Sequence, residues 1–217
     1  MKVGTDAILL GAWASIAEAK RILDIGTGSG VIALMLAQRS DSNVSIVGIE
    51  PDLSSFIQAS ENFNASHWSS RLQLMNIRLQ DLKDDDKFDL IVSNPPFFSS
   101  GLKPPVDQRK SARHTHALSH EELVLISSRL LRPGGRLSLV LPSNEGQRLI
   151  IYAEKVNLHC SRICSVKTRV HKPVERLLIE FSTQRESQAV EELLLELSDG
   201  KRTAAYDALV SNFYLAT

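Results

Sequence analysis

Residues 21–38 read RILDIGTGSGVIALMLAQ, and this stretch decides the fold class. Arg21 to Ile25 is a short, mostly apolar run that predicts a buried strand, and Val31 to Gln38 predicts a helix. Between them, glycines at alternate positions allow a tight turn and let the backbone approach a ligand closely. The start of the helix adds unpaired N–H groups at the same place. A strand, a glycine loop and a helix in this order therefore predict a ligand site beside the end of the strand.

The charged residues around the loop indicate which ligand it binds. The spacing is G-x-G-x-G at Gly26, Gly28 and Gly30, not the G-x-G-x-x-G of dinucleotide sites. Asp24, two residues before the first glycine, would repel a pyrophosphate but suits an ammonium group. Glu50 ends the next apolar run, where an acidic side chain can accept both ribose hydroxyls. A ligand with an amino-acid end and a ribose but no phosphate fits S-adenosylmethionine better than a nicotinamide cofactor.

The motif Asn94-Pro95-Pro96-Phe97 follows the apolar run 88–92. Two prolines at the end of a buried strand make a rigid turn that cannot continue the ladder. The turn presents the carboxamide oxygen of Asn94 and the carbonyl of Pro95 as fixed acceptors, which together can hold a planar NH2 group. Phe97 offers a face on which a flat ring can stack. By itself such a motif is as often only a turn, and the glycine loop upstream favours the catalytic interpretation.

Strand and helix patterns alternate, which predicts right-handed crossovers and a mainly parallel sheet covered on both faces. The expected strands are 21–25, 44–49, 71–76, 88–93 and 135–141, and the expected helices are 30–39, 52–64, 118–131 and 144–156. Two further apolar runs, 158–168 and 175–182, have only a short polar link and predict an antiparallel hairpin that ends the sheet. The expected fold is Rossmann-like α/β with seven strands.

The chain is expected to form a single domain over residues 1–217. Within it we expect an N-terminal helical segment over 1–20 and a C-terminal helical tail over 183–217. Residues 98–117 are the longest stretch without periodicity, and a long loop in a compact domain is commonly functional, so we expect a substrate-side loop there.

The composition favours a cytoplasmic protein without a membrane span. The chain is 43% hydrophobic but has no run of 18 apolar residues, and its N-terminus lacks a signal-peptide pattern. Two cysteines, Cys160 and Cys164, agree with a reducing compartment. Strand-like alternation around them favours packing over zinc ligation, so no metal site is expected. The oligomeric state is left open, with a monomer favoured.

Together, the motifs Asp24–Gly30, Glu50 and Asn94–Phe97 resemble those of class I S-adenosylmethionine-dependent methyltransferases that modify an exocyclic or amide nitrogen. More narrowly, the segments 1–13, 172–181 and 212–215 resemble the bacterial tRNA1(Val) (adenine-37-N6)-methyltransferases. This resemblance implies S-adenosylmethionine as cofactor, tRNA as partner, and N6 of adenine-37 in the anticodon loop as the target.

The motifs and the resemblance give three sets of candidate residues. The expected catalytic residues are Asn94, Pro95, Pro96 and Phe97. The expected cofactor-binding residues are Asp24, Gly26, Thr27, Gly28, Gly30, Glu50, Asp81 and Asn94. For Asp81, an acceptor for the adenine amine and a plain loop acid are equally open readings. The expected phosphate contacts are Lys103, Arg109, Lys110, Arg113, Lys172 and Arg176, with solvated charged faces as the alternative.

Two rival functions remain open at this stage. A glutamine N5-methyltransferase of release factors also uses an Asn-Pro-Pro-aromatic turn, but commonly with Tyr at the last position and with a separate helical N-terminal domain. A non-catalytic RNA-binding module with a decayed pocket is the other rival. The intact Asp24, glycine loop, Glu50 and Asn94 count against decay.

Overall fold

The computed structural model describes residues 4–83, 87–96 and 118–214. The helices are α1 (Thr5–Trp13), α2 (Val31–Arg39), α3 (Leu53–Ala65), α4 (His120–Leu130), α5 (Ser143–Ala153) and α6 (Ala204–Val210). The strands are β1 (Arg21–Ile25), β2 (Ser45–Ile49), β3 (Leu72–Met75), β4 (Phe88–Ser93), β5 (Leu131–Pro142), β6 (His159–Lys167), β7 (Arg176–Ser182) and β8 (Ala189–Leu194). Four short 3-10 turns lie at Ser69–Arg71, Leu79–Asp81, Glu154–Val156 and Ser211–Phe213.

The described strands form one sheet in the order β3-β2-β1-β4-β5-β7-β6-β8. Strands β1 to β5 are parallel to one another, whereas β7 runs antiparallel to both of its neighbours, β5 and β6. The chain leaves β1 toward β2 and β3 on one side, and later returns to place β4 and β5 on the other side. Ligands bind at the carboxyl ends of the strands where the strand order reverses in this way, here between β1 and β4.

Helices cover both faces of the sheet because alternate strand residues point to opposite sides. Ile22 and Leu90 belong to the hydrophobic cluster that includes α1 and α2. Leu23 and Ile91, one residue further along the same strands, belong to the cluster that includes α4 and α5. This burial on both faces explains why β1 and β4 are continuously apolar in sequence, and it confirms the predicted α/β layering and the antiparallel hairpin.

The expected helical tail over 183–217 is wrong for its first part. Residues Ala189–Leu194 form β8, which pairs parallel to β6 and makes the sheet eight-stranded rather than seven-stranded. The Glu- and Leu-rich composition of this segment favours a helix locally. Pairing with the open edge of β6 overrides that preference, and Arg162 of β6 binds Glu191 of β8 at 2.6 Å. Within the described part of the tail, the α-helix is confined to α6.

None of the helices in the described ranges is long and apolar enough to cross a membrane. The same ranges contain no group of three or more His, Cys, Asp or Glu side chains that could hold a metal ion.

Candidate active site

The glycine loop lies at the carboxyl end of β1. Gly26, Gly28 and Gly30 all have positive φ, at 66°, 59° and 84°. The loop is tied to β2, because Gly26 N–H donates to the carbonyl of Ile49 at 2.9 Å. Gly30 precedes α2, and a Cβ added there would lie 2.5 Å from Cε1 of Phe63, so both the backbone conformation and the packing require glycine.

Asp24 is fully buried beneath this loop. Its Oδ2 accepts hydrogen bonds from the Thr27 hydroxyl at 2.5 Å and from the Ala33 N–H at 3.2 Å. Its Oδ1 is buried and has no hydrogen-bond partner among the described residues. Burial raises the pKa of Asp24 to about 7, against the two hydrogen bonds that lower it, and the negative charge of Glu50 raises it slightly further. An unsatisfied buried carboxylate oxygen suits a positively charged ligand group.

Glu50 follows the end of β2, lines the cleft and is held by backbone amides. Its Oε2 accepts from Gly28 N–H and its Oε1 from Asp52 N–H, both at 2.9 Å. Asn76 holds the backbone of the same residue, because its Nδ2 donates to the Glu50 carbonyl at 2.7 Å. Each carboxylate oxygen retains acceptor capacity, so this arrangement allows Glu50 to accept from ligand hydroxyls as well.

The Asn94-Pro95-Pro96 turn borders the same cleft. Asn94 is half-buried, Pro95 is buried and Pro96 is exposed. Ser93, the residue before the turn, donates its hydroxyl to the carbonyl of Ile25 at 2.9 Å and so ties the end of β4 to the end of β1. Phe97 lies outside the described residues.

The cleft has a volume of about 540 Å³. Its apolar lining includes Ile25, Ile49, Ile77, Leu79, Leu118 and Leu123, and its polar lining includes Gly26, Gly28, Glu50, Arg78 and Asn94. The structure thus brings together the glycine loop, Glu50 and the Asn-Pro-Pro turn, as the sequence predicts. Asp24 and Thr27 support the loop from within.

Asp81 lies in the 3-10 turn at the rim of the cleft. Both of its carboxylate oxygens accept from Arg78, Oδ2 from Nε at 2.7 Å and Oδ1 from Nη2 at 3.0 Å. These hydrogen bonds lower the pKa of Asp81. Arg78, Leu79 and Gln80 line the cleft itself. Asp81 is thus placed beside the cleft in an ion pair, and its role toward an adenine amine stays a prediction.

Three basic side chains in or next to the β6–β7 hairpin are paired with acidic side chains. Arg176 binds Asp6 at 2.9 Å, Lys167 binds Glu192 at 3.2 Å, and Arg169 binds Glu196 at 2.9 Å. Two of these acids, Glu192 in β8 and Glu196 just after it, are brought there by the pairing of β8 with β6. Lys172 is exposed. Lys103, Arg109, Lys110 and Arg113 lie outside the described residues, so phosphate binding by all six predicted cations stays a prediction.

Three residues at the site were not anticipated. Ser93 precedes the turn and ties it to β1, and Arg78 lines the cleft, as described above. The third is His120, whose Nε2 is 3.2 Å from the carbonyl oxygen of Pro96. For Ser93 the signal was its position directly before Asn94. For His120 it was the N-cap Ser119, which accepts from Glu122 N–H and fixes the start of α4.

Several solved structures that superpose on this chain are described as methyltransferases. An Agrobacterium tumefaciens protein described as a predicted O-methyltransferase superposes with a TM-score of 0.75 at 18% identity, covering 98% of each chain. The T. thermophilus 16S rRNA methyltransferase RsmC, solved with AdoMet and guanosine, gives a TM-score of 0.59 at 22% identity, with 84% of this chain and 44% of that chain covered. The fold is therefore that of the class I methyltransferases.

The sequence comparisons are more specific. The model of the methyltransferase small domain family matches residues 3–161. A protein of Actinobacillus succinogenes named tRNA1(Val) (adenine(37)-N6)-methyltransferase is 44% identical, with 99% of this chain and 91% of the relative covered. A protein of Photobacterium profundum with the same name is 42% identical, with 99% and 92% covered. The chain therefore belongs to the methyltransferase small domain family and, within it, to the family of the tRNA1(Val) (adenine(37)-N6)-methyltransferases. This confirms the predicted family and enzyme class.

Proposed function

We propose that the protein transfers a methyl group from S-adenosylmethionine to N6 of adenine-37 in tRNA1(Val). One observation carries the proposal. The glycine loop, Glu50 and the Asn94 turn lie in one cleft at the carboxyl ends of adjacent strands. The names of relatives that share more than 40% identity over almost the whole chain support the same reaction and the same substrate.

The residues of the cleft fit the methyl donor. The free Oδ1 of Asp24 suits the ammonium group, and the carboxylate of Glu50 suits the ribose hydroxyls. The apolar side chains Ile49, Ile77 and Leu79 suit the adenine ring. When bound, the donor supplies an electrophilic methyl group on a sulfonium whose sulfur leaves without a proton. The protein therefore contributes positioning and the exclusion of water.

The Asn94 turn would hold the amine. Adenine N6 is a poor nucleophile because its lone pair is conjugated with the ring. Hydrogen bonds from N6 to the Asn94 side-chain oxygen and the Pro95 carbonyl favour a pyramidal nitrogen and stabilise the positive charge that develops on it. The surplus proton can leave to solvent after transfer, so this route requires no general base. Phe97 would stack on the flipped base, as aromatic residues do in RNA recognition.

The remaining parts of the proposal concern the partner. Lys103, Arg109, Lys110, Arg113, Lys172 and Arg176 would contact tRNA phosphates. For Arg176 this means sharing its guanidinium with Asp6, since the two form an ion pair. Asp81 would accept from the donor adenine. The protein would act as a monomer in the cytoplasm, where its proposed tRNA substrate is found.

The test is transfer of a labelled methyl group to a tRNA1(Val) transcript, followed by mass analysis of the nucleosides. We expect N6-methyladenosine, and none when position 37 of the transcript carries guanosine. A release-factor glutamine substrate, included in parallel, should stay unlabelled. Labelling of the release factor but not of the tRNA would overturn the proposal.

Asn94→Ala tests the mechanism directly. We expect about 100- to 1000-fold slower single-turnover transfer with little change in donor affinity, because the lost interaction strengthens as charge develops on N6. Asn94→Asp should be less damaging, since a carboxylate still accepts from the amine. Near-normal transfer by Asn94→Ala would contradict the mechanism whatever the substrate.

A further inference from the structure

The imidazole of His120 lies between the catalytic turn and the start of α5. Its Nε2 is 3.2 Å from the carbonyl oxygen of Pro96, and its Nδ1 is 3.3 Å from Oε2 of Glu145. A carbonyl can only accept a hydrogen bond, so the bond to Pro96 requires the hydrogen on Nε2. The Glu145 oxygen is buried and has no hydrogen-bond partner among the described residues, and its 3.3 Å contact with Nδ1 is an ion pair when the imidazole is protonated.

From the Cα of Asn94 to the carbonyl of Pro96, the backbone of the turn has one dihedral angle that its own sequence does not restrict. The proline rings fix φ of Pro95 and Pro96, and a following proline restricts ψ of Asn94 and Pro95 to extended values. Pro96 is the first residue of the turn that is not followed by proline, so its ψ is the first freely rotating angle. That angle sets the direction of the Pro96 carbonyl, which is the atom that contacts His120.

The turn is therefore tied to other elements of the fold at both ends. At its near end Ser93 donates to the carbonyl of Ile25 at 2.9 Å. At its far end Pro96 accepts from His120, the first residue of α4. The two acceptors proposed to bind the amine, on Asn94 and Pro95, lie between these anchors.

We propose that His120 is a positioning residue for methyl transfer, which anchors the catalytic turn through the Pro96 carbonyl and is itself oriented by Glu145. The proposal rests on the proposed role of Asn94 and Pro95. His120 is not among the residues that line the cleft, so it would act through the turn. A misplacement of reacting groups by about 1 Å can cost on the order of 100-fold in rate.

The key comparison is His120→Leu with His120→Gln in single-turnover transfer to the tRNA1(Val) transcript. The leucine removes the donor at similar size, whereas the glutamine side chain retains an N–H donor that can reach the same carbonyl. We expect His120→Leu to lower the rate constant about 10- to 100-fold with donor affinity changed less than about 3-fold, and His120→Gln to restore most of the rate.

Glu145→Ala supplies a second measurement. Because Glu145 acts through His120, we expect a smaller loss than for His120→Leu, and the double variant should be no slower than His120→Leu alone. A further additive loss in the double variant would contradict an action of Glu145 through His120.

The chain offers a matched control in His159. This histidine is 14% exposed against 13% for His120, and its Nδ1 lies 3.0 Å from Glu154. It is the first residue of β6 and pairs with Ser182 of β7. It therefore lies at the opposite end of the strands from the turn, which follows the carboxyl end of β4. His159→Leu should leave transfer unchanged, while melting temperatures report general destabilisation in all variants.

Normal transfer by His120→Leu, or equal impairment of the leucine and glutamine variants, would overturn the positioning role. If one of these outcomes is found while Asn94→Ala is inactive in the same assay, only the role of His120 fails and the proposed mechanism of Asn94 stands. If Asn94→Ala also transfers normally, the mechanism of the turn fails first, and the two failures are thereby distinguished.

Discussion

Replacing Asp24 by Asn should stabilise the cofactor-free protein at neutral and alkaline pH while weakening donor binding. Asn has the shape of the Asp side chain, and its oxygen can still accept from Thr27 and Ala33. Its NH2 group would occupy the position of Oδ1, which has no hydrogen-bond partner among the described residues. The substitution therefore removes the buried charge and keeps the bonds that hold the loop.

The expected change in unfolding free energy follows from the pKa of Asp24, which burial raises from 3.8 to about 7. Above pH 3.8 the unfolded chain loses this proton while the folded protein retains it. The stability that the proton confers is thus complete below pH 3.8 and is lost as the pH rises through about 7. With about 1.4 kcal/mol per pKa unit, the wild-type protein should lose about 2–3 kcal/mol of unfolding free energy between pH 5 and pH 8 through this group.

Urea unfolding of both proteins at pH 5, 6, 7 and 8 measures this effect. The difference in unfolding free energy, Asp24→Asn minus wild type, should grow by about 2–3 kcal/mol over this range. The pH-independent cost of burying an unpaired NH2 group cancels in that change. Asp52→Asn is the control. The hydrogen bonds of Asp52 lower its pKa, so it is ionised in both states from pH 5 to 8, and its difference should stay constant.

Donor affinity should change in the opposite direction. Hydrogen bonds to charged groups contribute about 1.5–3 kcal/mol, so loss of the carboxylate should weaken S-adenosylmethionine binding at pH 8 by about 10- to 150-fold in calorimetry. If the difference in unfolding free energy between Asp24→Asn and wild type does not change from pH 5 to pH 8, the raised pKa of the buried Asp24 is refuted. Unchanged donor affinity would refute the proposed contact with the ammonium group.

Three further predictions concern the cofactor cleft and the RNA surface. Glu50→Ala should weaken S-adenosylmethionine binding in calorimetry through the loss of ribose hydrogen bonds worth roughly 0.5–3 kcal/mol each, and a melting-temperature shift with NAD but not with S-adenosylmethionine would contradict this. Gly30→Ala should lower the unfolding free energy by about 1–3 kcal/mol more than Gly26→Ala. Both glycines have positive φ, but only a Cβ at Gly30 would clash with Phe63. Equal denaturation midpoints for the two variants would count against this packing. Neutralising Arg109, Lys110 and Arg113 together should weaken tRNA binding and flatten its salt dependence. Arg169→Gln is the control and should leave the salt slope unchanged, because the charge of Arg169 is offset by Glu196. The same slope for both variants would indicate that Arg109, Lys110 and Arg113 are solvated surface charges.

The residues with local roles were predictable from the sequence. The positive φ of Gly26, Gly28 and Gly30 and the rigid Asn94-Pro95-Pro96 turn are properties of a few consecutive residues. The continuous apolar runs of β1 and β4 likewise indicate strands buried on both faces. The chain order of these motifs then brings Glu50 and Asn94 to the same edge, because the carboxyl ends of parallel strands share one side of a sheet.

Contacts between distant segments were decided only by the tertiary structure. The Glu- and Leu-rich segment Ala189–Leu194 became a strand because β6 offered it an open edge, and with that Glu191 and Glu192 came to face Arg162 and Lys167. These two basic side chains are therefore ion-paired in the fold. The bond between His120 and Pro96 spans 24 positions in the chain, and nothing in either segment alone predicts it. Local propensity acts through neighbouring residues, whereas pairing partners and charge neighbours are fixed only when the whole sheet has formed.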